Sequence, residues 1–182
     1  MEALYILIGF VVLIIIFVAI TYNGLVAKRN MVRNSFSSID VNLKKRTDLI
    51  PNLVKTVKAV AAHEKGVLTE VTELRSRIQE AASTGERLQL ESQMSPMIGK
   101  VFALSENYPE LKANENFLHL QRTLNEVEEQ LSAARRAYNA AVLDNNNAIE
   151  SFPSNIIANN FGFKVEIFFE IAEAERAVPE TF

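Results

Sequence analysis

The chain has 182 residues, 48% of them hydrophobic, a net charge of −3 and no cysteine. The lack of thiols excludes disulfides, thiolate zinc sites and a cysteine nucleophile. The acidic balance argues against a nucleic-acid partner, because phosphate binding needs a clustered basic face. A composition rich in Ala, Leu, Glu, Asn and Lys favours helices, and the length leaves room for one ordinary domain after a first stretch of different character.

That first stretch, residues 3–27, contains no charged side chain before Lys28. Fourteen of residues 3–22 are Leu, Ile, Val or Phe. As a helix this segment would be about 30 Å long, which matches the hydrocarbon thickness of a bilayer. A cleaved signal peptide and a buried core helix are the alternatives, but acidic Glu2 and the poor cleavage site near Ala19 and Thr21 argue against cleavage. We therefore assign residues 1–27 to a retained transmembrane anchor.

Basic residues follow the anchor directly. Lys28, Arg29 and Arg33 come before the first acid that follows the anchor, Asp40, and only the α-amine is basic on the other side. The positive-inside rule then predicts a single-pass protein with its N-terminus outside and its C-terminal part in the cytoplasm. The same three side chains are the expected contacts with lipid headgroups, worth about 1 kcal/mol each.

A heptad pattern begins after the anchor. Every seventh residue from Phe36, and again from Ile39 as far as Ala81, gives fourteen positions, of which twelve are apolar. A strict seven-residue repeat predicts one long helix with coiled-coil-like packing. Pro51 lies inside the repeat and lacks the N–H that a helix interior needs. Because the heptad phase survives across Pro51, we expect a kinked continuous helix rather than a loop.

The part of this seam nearest the anchor has no obvious partner in its own chain. Its apolar side chains would be wet in a monomer unless the aromatic tail or a second copy covers them, and anchoring in a membrane favours the second copy. Two polar residues, Arg46 and Glu64, interrupt the seam. Either they fix the register of the helices, across the bundle or between chains, or a local rotation of the helix exposes them. The expected oligomer seam comprises Phe36, Ile39, Leu43, Arg46 and Glu64.

Two further helices are predicted, over residues 85–107 with a bend at Ser95–Pro96 and over residues 114–152, where Asn145 interrupts the seam. A turn at Ser83–Gly85 and the stop at Pro153 bound them. Short turns imply antiparallel neighbours, so the first helix leads away from the membrane, the second returns part-way and the third leads away again. The predicted fold is all-α, with the transmembrane helix continuing into an antiparallel long-helix bundle over residues 28–153.

The aromatic-rich tail, residues 154–182, is expected to pack irregularly on the bundle or on a neighbouring chain. FKVEIFF alternates briefly like a strand, and EIAEAERA has a helical pattern.

Residues that carry catalysis are scarce. The two histidines are His63 and His119, and His63–Glu64 begins like the zinc-protease motif HExxH, but its fifth position is Val67. Neither a glycine-rich phosphate loop nor a nucleophile elbow occurs. We predict no enzyme, no metal site and no cofactor.

Several stretches together resemble the LemA family of bacterial membrane proteins. They are YNGLVAKRNMV, the segment around DLIPNLV, the segment around YPELKANENFLHLQ, and the FGF, FFE and AVPETF elements of the tail. The resemblance implies one N-terminal span in the bacterial inner membrane and an antiparallel helical domain in the cytoplasm. It implies no active site, and one branch of the family is associated with forming bacterial organelle membranes.

The expected function is a non-enzymatic, self-associating scaffold at the cytoplasmic face of the bacterial cell membrane, which organises or remodels that membrane. Its expected partners are the lipid bilayer and further copies of the chain. The alternative is an adaptor or regulatory subunit of another membrane protein, such as a protease or a signalling receptor.

Overall fold

The computed structural model describes residues 1–82 and 84–169. Within those residues the structure is helical and contains no strand, so the all-α prediction is confirmed. The elements are α1 (Glu2–Val60), α2 (Lys65–Glu80), α3 (Thr84–Ala103), a 3-10 turn (Leu104–Glu106), α4 (Pro109–Lys112), α5 (Glu115–Glu150) and α6 (Ser154–Asn160).

Helix α1 joins the charge-free stretch to the heptad seam without a break. It runs for 59 residues, through Gly24 and with Pro51 in its interior. Pro51 is exposed, whereas Ile50 and Leu53 beside it are buried, so the apolar face of the helix continues past the proline. The predictions that the transmembrane helix continues into the bundle and that the helix runs through Pro51 without a loop are confirmed.

The first helix ends earlier than predicted. It stops at Val60, and α2 begins only at Lys65. Between them the chain turns tightly, with the Glu64 N–H donating to the Ala61 carbonyl at 3.1 Å. The prediction of one helix as far as Ala81 is therefore wrong. The turn was missed because the seven-residue repeat continues across it without a change of phase. The charged residue at a seam position, Glu64, was the local sign of a break.

Residues 39–133 form one compact unit, in which α2 folds back along α1. Arg75 of α2 donates to the backbone carbonyl of Thr47 at 3.2 Å. Helix α3 then runs in the direction of α1, since Arg87 pairs with Asp40 at 2.8 Å and the next turns of α3 face Arg46. The core of this unit combines Ile50, Leu53, Val57, Leu68, Val71, Leu74, Leu90, Met94, Val101, Phe117 and Leu124.

A second compact unit combines residues 1–38 with residues 134–169. Here α5 runs antiparallel to α1: the Tyr138 ring lies 5.8 Å from that of Phe36, and Ile149 shares a buried cluster with Leu25. Helix α5 therefore runs toward the charge-free stretch, not away from it. The predicted direction of this helix is wrong because the missed turn at residues 61–64 reverses every later helix.

Residues 163–169 follow α6 without regular secondary structure, as expected for an irregular tail. The helical expectation for EIAEAERA, and the aromatic Phe182, lie outside the described residues.

Candidate functional site

A buried ionic cluster occupies the middle of the unit formed by residues 39–133. The Arg46 guanidinium is fully buried and donates to the Glu91 carboxylate, to the Glu128 carboxylate at 2.6 Å and to the Ser95 hydroxyl at 2.8 Å. Ser95 in turn donates to Glu128 at 3.1 Å. Three helices, α1, α3 and α5, thus meet at one cation.

The cluster contains two carboxylates and one guanidinium. Glu91 is 1% exposed, whereas Glu128 reaches solvent with 31% of its side chain. Charge-assisted bonds to a planar guanidinium are strong and directional, and a buried carboxylate without them is costly. Every charged group of the cluster is paired with another, so the cluster positions the three helices against one another.

Glu64, the second polar residue of the seam, does not pair with Arg46. Its carboxylate accepts a hydrogen bond from the Tyr108 hydroxyl at 3.0 Å, which ties the α1–α2 turn to the start of α4. This hydrogen bond to Glu64 is the main cause that raises the pKa of Tyr108 above 10.0, with partial burial and the Glu64 charge adding to it. Asn145, the polar residue of the third seam, is buried and bonds to Asn146 at 3.3 Å.

The seam residues nearest the anchor are covered within a single chain. Ile39 is 0% exposed and Leu43 is 1% exposed, so the expectation that they would be wet in a monomer is wrong. Phe36 is half-buried, with its ring against Tyr138. The physical reason is the missed turn, which sends additional helices back along α1. Whether copies of the chain associate through this seam stays a prediction.

The charge-free part of α1 is long and apolar enough to cross a membrane. Its most apolar window has a mean hydropathy of 3.2, and none of that window is buried inside the molecule. Of the three expected headgroup contacts, Lys28 and Arg29 are half-buried and Arg33 is exposed. Arg29 lies over the Phe163 ring at 5.1 Å.

Two asparagines of α5 hold the irregular segment that follows α6; we call them the asparagine clamp. Asn146 accepts from the Glu166 N–H and donates to its carbonyl, both at 2.9 Å. Asn139 makes the same pair of bonds with Phe169, at 2.8 and 3.1 Å. Seven residues of helix and three of extended chain both cover about 10 Å, so the two spacings match.

Tyr138 adds a third bond, from its hydroxyl to the Ile167 carbonyl at 2.9 Å. Burial is the larger cause that raises the pKa of Tyr138, and the negative charge of Glu166 adds to it. Sequence reasoning missed Asn139 and Asn146, and it also missed Glu91 and Glu128. The only local signal for the clamp was the uncommon run Asn145–Asn147 late in a helix.

His63 and His119 are both exposed, and residues 1–82 and 84–169 hold no group of three His, Cys, Asp or Glu side chains that fits a metal ion.

Comparison with known proteins adds a family. The LemA family model matches residues 35–182, beginning after the charge-free stretch. Protein LemA of Metamycoplasma hominis is 24% identical over 160 residues, covering 87% of this chain and 73% of that protein. Magnetosome protein MamQ 2 of Paramagnetospirillum magneticum is 25% identical over 175 residues, covering 82% of this chain but 64% of that protein. Magnetosome protein MamQ of Magnetospirillum gryphiswaldense is 24% identical over 176 residues, and the match covers 65% of that protein's length.

Proposed function

This chain belongs to the LemA family, and on that premise we propose that it is a non-enzymatic helical scaffold, anchored by α1 in the bacterial inner membrane and self-associating at the cytoplasmic face. Membrane organisation or remodelling is the role that this arrangement serves.

The observation that carries the proposal is the continuity of α1. One helix contains both a fully exposed apolar stretch and the buried seam of the bundle. A helix in the bilayer must satisfy all its backbone groups internally, which an unbroken α1 does. Because α1 continues from Glu2 to Val60, the membrane segment and the first part of the buried seam belong to one helix.

The pairing of the buried charged residues with each other supports a scaffold rather than an enzyme. Arg46 and Glu91, the two buried charged residues of the described part, are bonded to each other. Both histidines lie on the surface.

Self-association is the finer part of the proposal. Since Ile39 and Leu43 are covered within one chain, we base it on anchoring instead: copies confined to the bilayer meet at a high local concentration, so a weak contact is sufficient. The test is the size of the full chain, purified in mild detergent and measured by light scattering. A homo-oligomer supports the scaffold. A monomer that co-purifies with a different membrane protein favours the adaptor, and a lone monomer contradicts both.

Topology has an independent test, because the natural chain has no cysteine. The cells are treated so that the reagent passes the outer envelope while the inner membrane stays sealed. Under these conditions we expect a membrane-impermeant maleimide to label Glu2→Cys. It should not label Glu129→Cys, which lies on an exposed position of α5. Both variants should react after the inner membrane is permeabilised. Labelling of position 129 from outside would reverse the proposed orientation.

A further inference from the structure

We propose that the corner between α5 and the clamped segment, residues 151–163, inserts into the interfacial layer of the bilayer beside the anchor and forms a second lipid contact. We call it the α6 corner. The inference rests on the proposed function in one respect, that the charge-free part of α1 spans the membrane.

The first argument is position. The Phe161 ring lies 4.9 Å from the ring of Tyr22, near the end of the charge-free stretch. Ile157 and Ala158 of α6 share a buried cluster with Leu25, and Val18 packs against the same cluster. Val18 lies about 6 Å before Tyr22 along the helix axis, on the side of the membrane interior. The α6 corner thus reaches the level at which the span enters the bilayer.

The second argument is the path of the chain. Helix α5 follows α1 toward the span, from Tyr138 beside Phe36 to Ile149 beside Leu25. After the corner the chain returns along α5, with Glu166 bonded to Asn146 and Phe169 bonded to Asn139. The α6 corner is therefore the turning point between a descending helix and a returning segment.

The third argument is chemistry. No charged residue occurs between Glu150 and Lys164, although charged residues make up 23% of the chain. Three large apolar side chains of the corner are exposed: Phe152 by 80%, Ile156 by 54% and Phe161 by 57%. Exposed apolar side chains without a charge among them suit the boundary between headgroups and acyl chains, because no charge has to leave water there. A fully aqueous location would leave these side chains wet.

Two cationic side chains lie at the edge of the corner, at the level expected for lipid headgroups. Arg29 covers the Phe163 ring at 5.1 Å, at the edge of the corner, and Lys164 follows it in the sequence with an exposed side chain. Arginine and lysine at this level contact lipid phosphates while their stems cover apolar surface. Arg29 lies about 10 Å beyond Tyr22 along α1, so its charge lies on the aqueous side of the contact between Tyr22 and Phe161.

Two polar side chains of the corner bond to nearby backbone carbonyls. The Asn160 amide donates to the Ile156 carbonyl at 2.7 Å, and the Ser154 hydroxyl donates to the Ser151 carbonyl at 2.9 Å. Such bonds lower the cost of placing backbone carbonyls where water is scarce. Lipid is the occupant favoured over a protein partner, because this surface is continuous with the exposed face of the anchor itself.

The test uses tryptophan fluorescence, since the natural chain has no tryptophan. The full chain is reconstituted in vesicles of phosphatidylcholine with a minority of phosphatidylglycerol, with bromines placed near the glycerol end or the methyl end of the acyl chains. Test variants are Phe161→Trp and Phe152→Trp; the second replaces the most exposed of the three side chains and so cannot fail through lost packing. Leu13→Trp reports the middle of the span, and Leu143→Trp, on an exposed position of α5, reports the aqueous side.

We expect blue-shifted emission from both test variants, with stronger quenching by the shallow bromines than by the deep ones. Leu13→Trp should show the opposite preference, and Leu143→Trp should be quenched by neither. Test variants that behave like Leu143→Trp, while Leu13→Trp is quenched, would overturn the lipid contact and leave the anchor intact. Blue-shifted but unquenched emission would mean that protein covers the corner, and would also overturn it. An unquenched Leu13→Trp would overturn the anchor, and the inference with it.

Discussion

The Arg46 guanidinium is bonded twice by Glu91: its Nη2 donates both to the Glu91 carboxylate and, at 2.7 Å, to the backbone carbonyl of the same residue. Both side chains are almost completely buried. A planar guanidinium can reach two acceptors at once in a fixed geometry, which a lysine ammonium does less well. The pair therefore fixes the position and the rotation of α3 against α1.

Replacing Arg46 by methionine should lower the free energy of unfolding by about 3–5 kcal/mol, because the Glu91 carboxylate would remain buried without its cation. Chemical unfolding of the full chain in detergent measures the loss. The control is Lys44→Met, which removes an exposed pair with Asp48 and should change stability by less than about 1 kcal/mol. Equal effects of the two variants would contradict the assigned role of Arg46.

Replacing Glu64 by glutamine should lower the pKa of Tyr108 toward 10.0, since the carboxylate that raises it is removed. The raised pKa stabilises the folded state fully below about pH 10, and this contribution disappears as the pH rises through the folded-state pKa. An NMR titration of labelled tyrosines follows both effects. Tyr138 is the internal control, because its raised pKa comes from burial and Glu166; a parallel shift of both would contradict the local cause.

Ile39→Ala should lower the free energy of unfolding by about 2–5 kcal/mol, as for other large side chains removed from a packed core. Val41→Ala, at a 54% exposed position two residues later, should change it by less than about 0.5 kcal/mol. Since Ile39 is covered within one chain, the loss should not depend on protein concentration. A loss that grows on dilution would mean that a second copy covers this side chain.

Asn146→Ala should release the segment after α6, because the Glu166 N–H and carbonyl lose both partners. Hydrogen exchange at the Glu166 amide should accelerate at least about tenfold, the equivalent of one net hydrogen bond. Asn146→Asp keeps the acceptor and should give an intermediate rate. Asn147→Ala, at the neighbouring exposed position, serves as the control. An equal acceleration of exchange in that variant would contradict the role assigned to Asn146.

The sequence was sufficient for the elements that depend on local pattern. The charge-free stretch, the heptad seam and the continuity through Pro51 are periodic features, and periodicity determines which face of a helix is buried. The turn at residues 61–64 was not predicted, because the seven-residue repeat continues across it and Glu64 at a seam position is its one irregularity. One missed turn reversed the direction of the later helices and left Ile39 and Leu43 uncovered in the prediction.

The bonded partners were not predictable in the same way. Arg46 was visible as an interruption of the seam, but its acceptors Glu91 and Glu128 lie 45 and 82 residues away in the sequence. Nothing in a single sequence links such positions, because the link is made by how the helices pack. The same holds for Asn139 and Asn146, whose partners are backbone atoms and carry no signature of their own.

That the asparagine clamp holds Glu166 and Phe169 by their main-chain atoms has an evolutionary consequence. Any residue with a backbone N–H satisfies it, so positions 166 and 169 can change identity freely while the path of the chain is preserved. Proline is the one exclusion, since it has no N–H to donate. Substitutions elsewhere in this segment can therefore alter what its outward side chains touch without releasing it from α5.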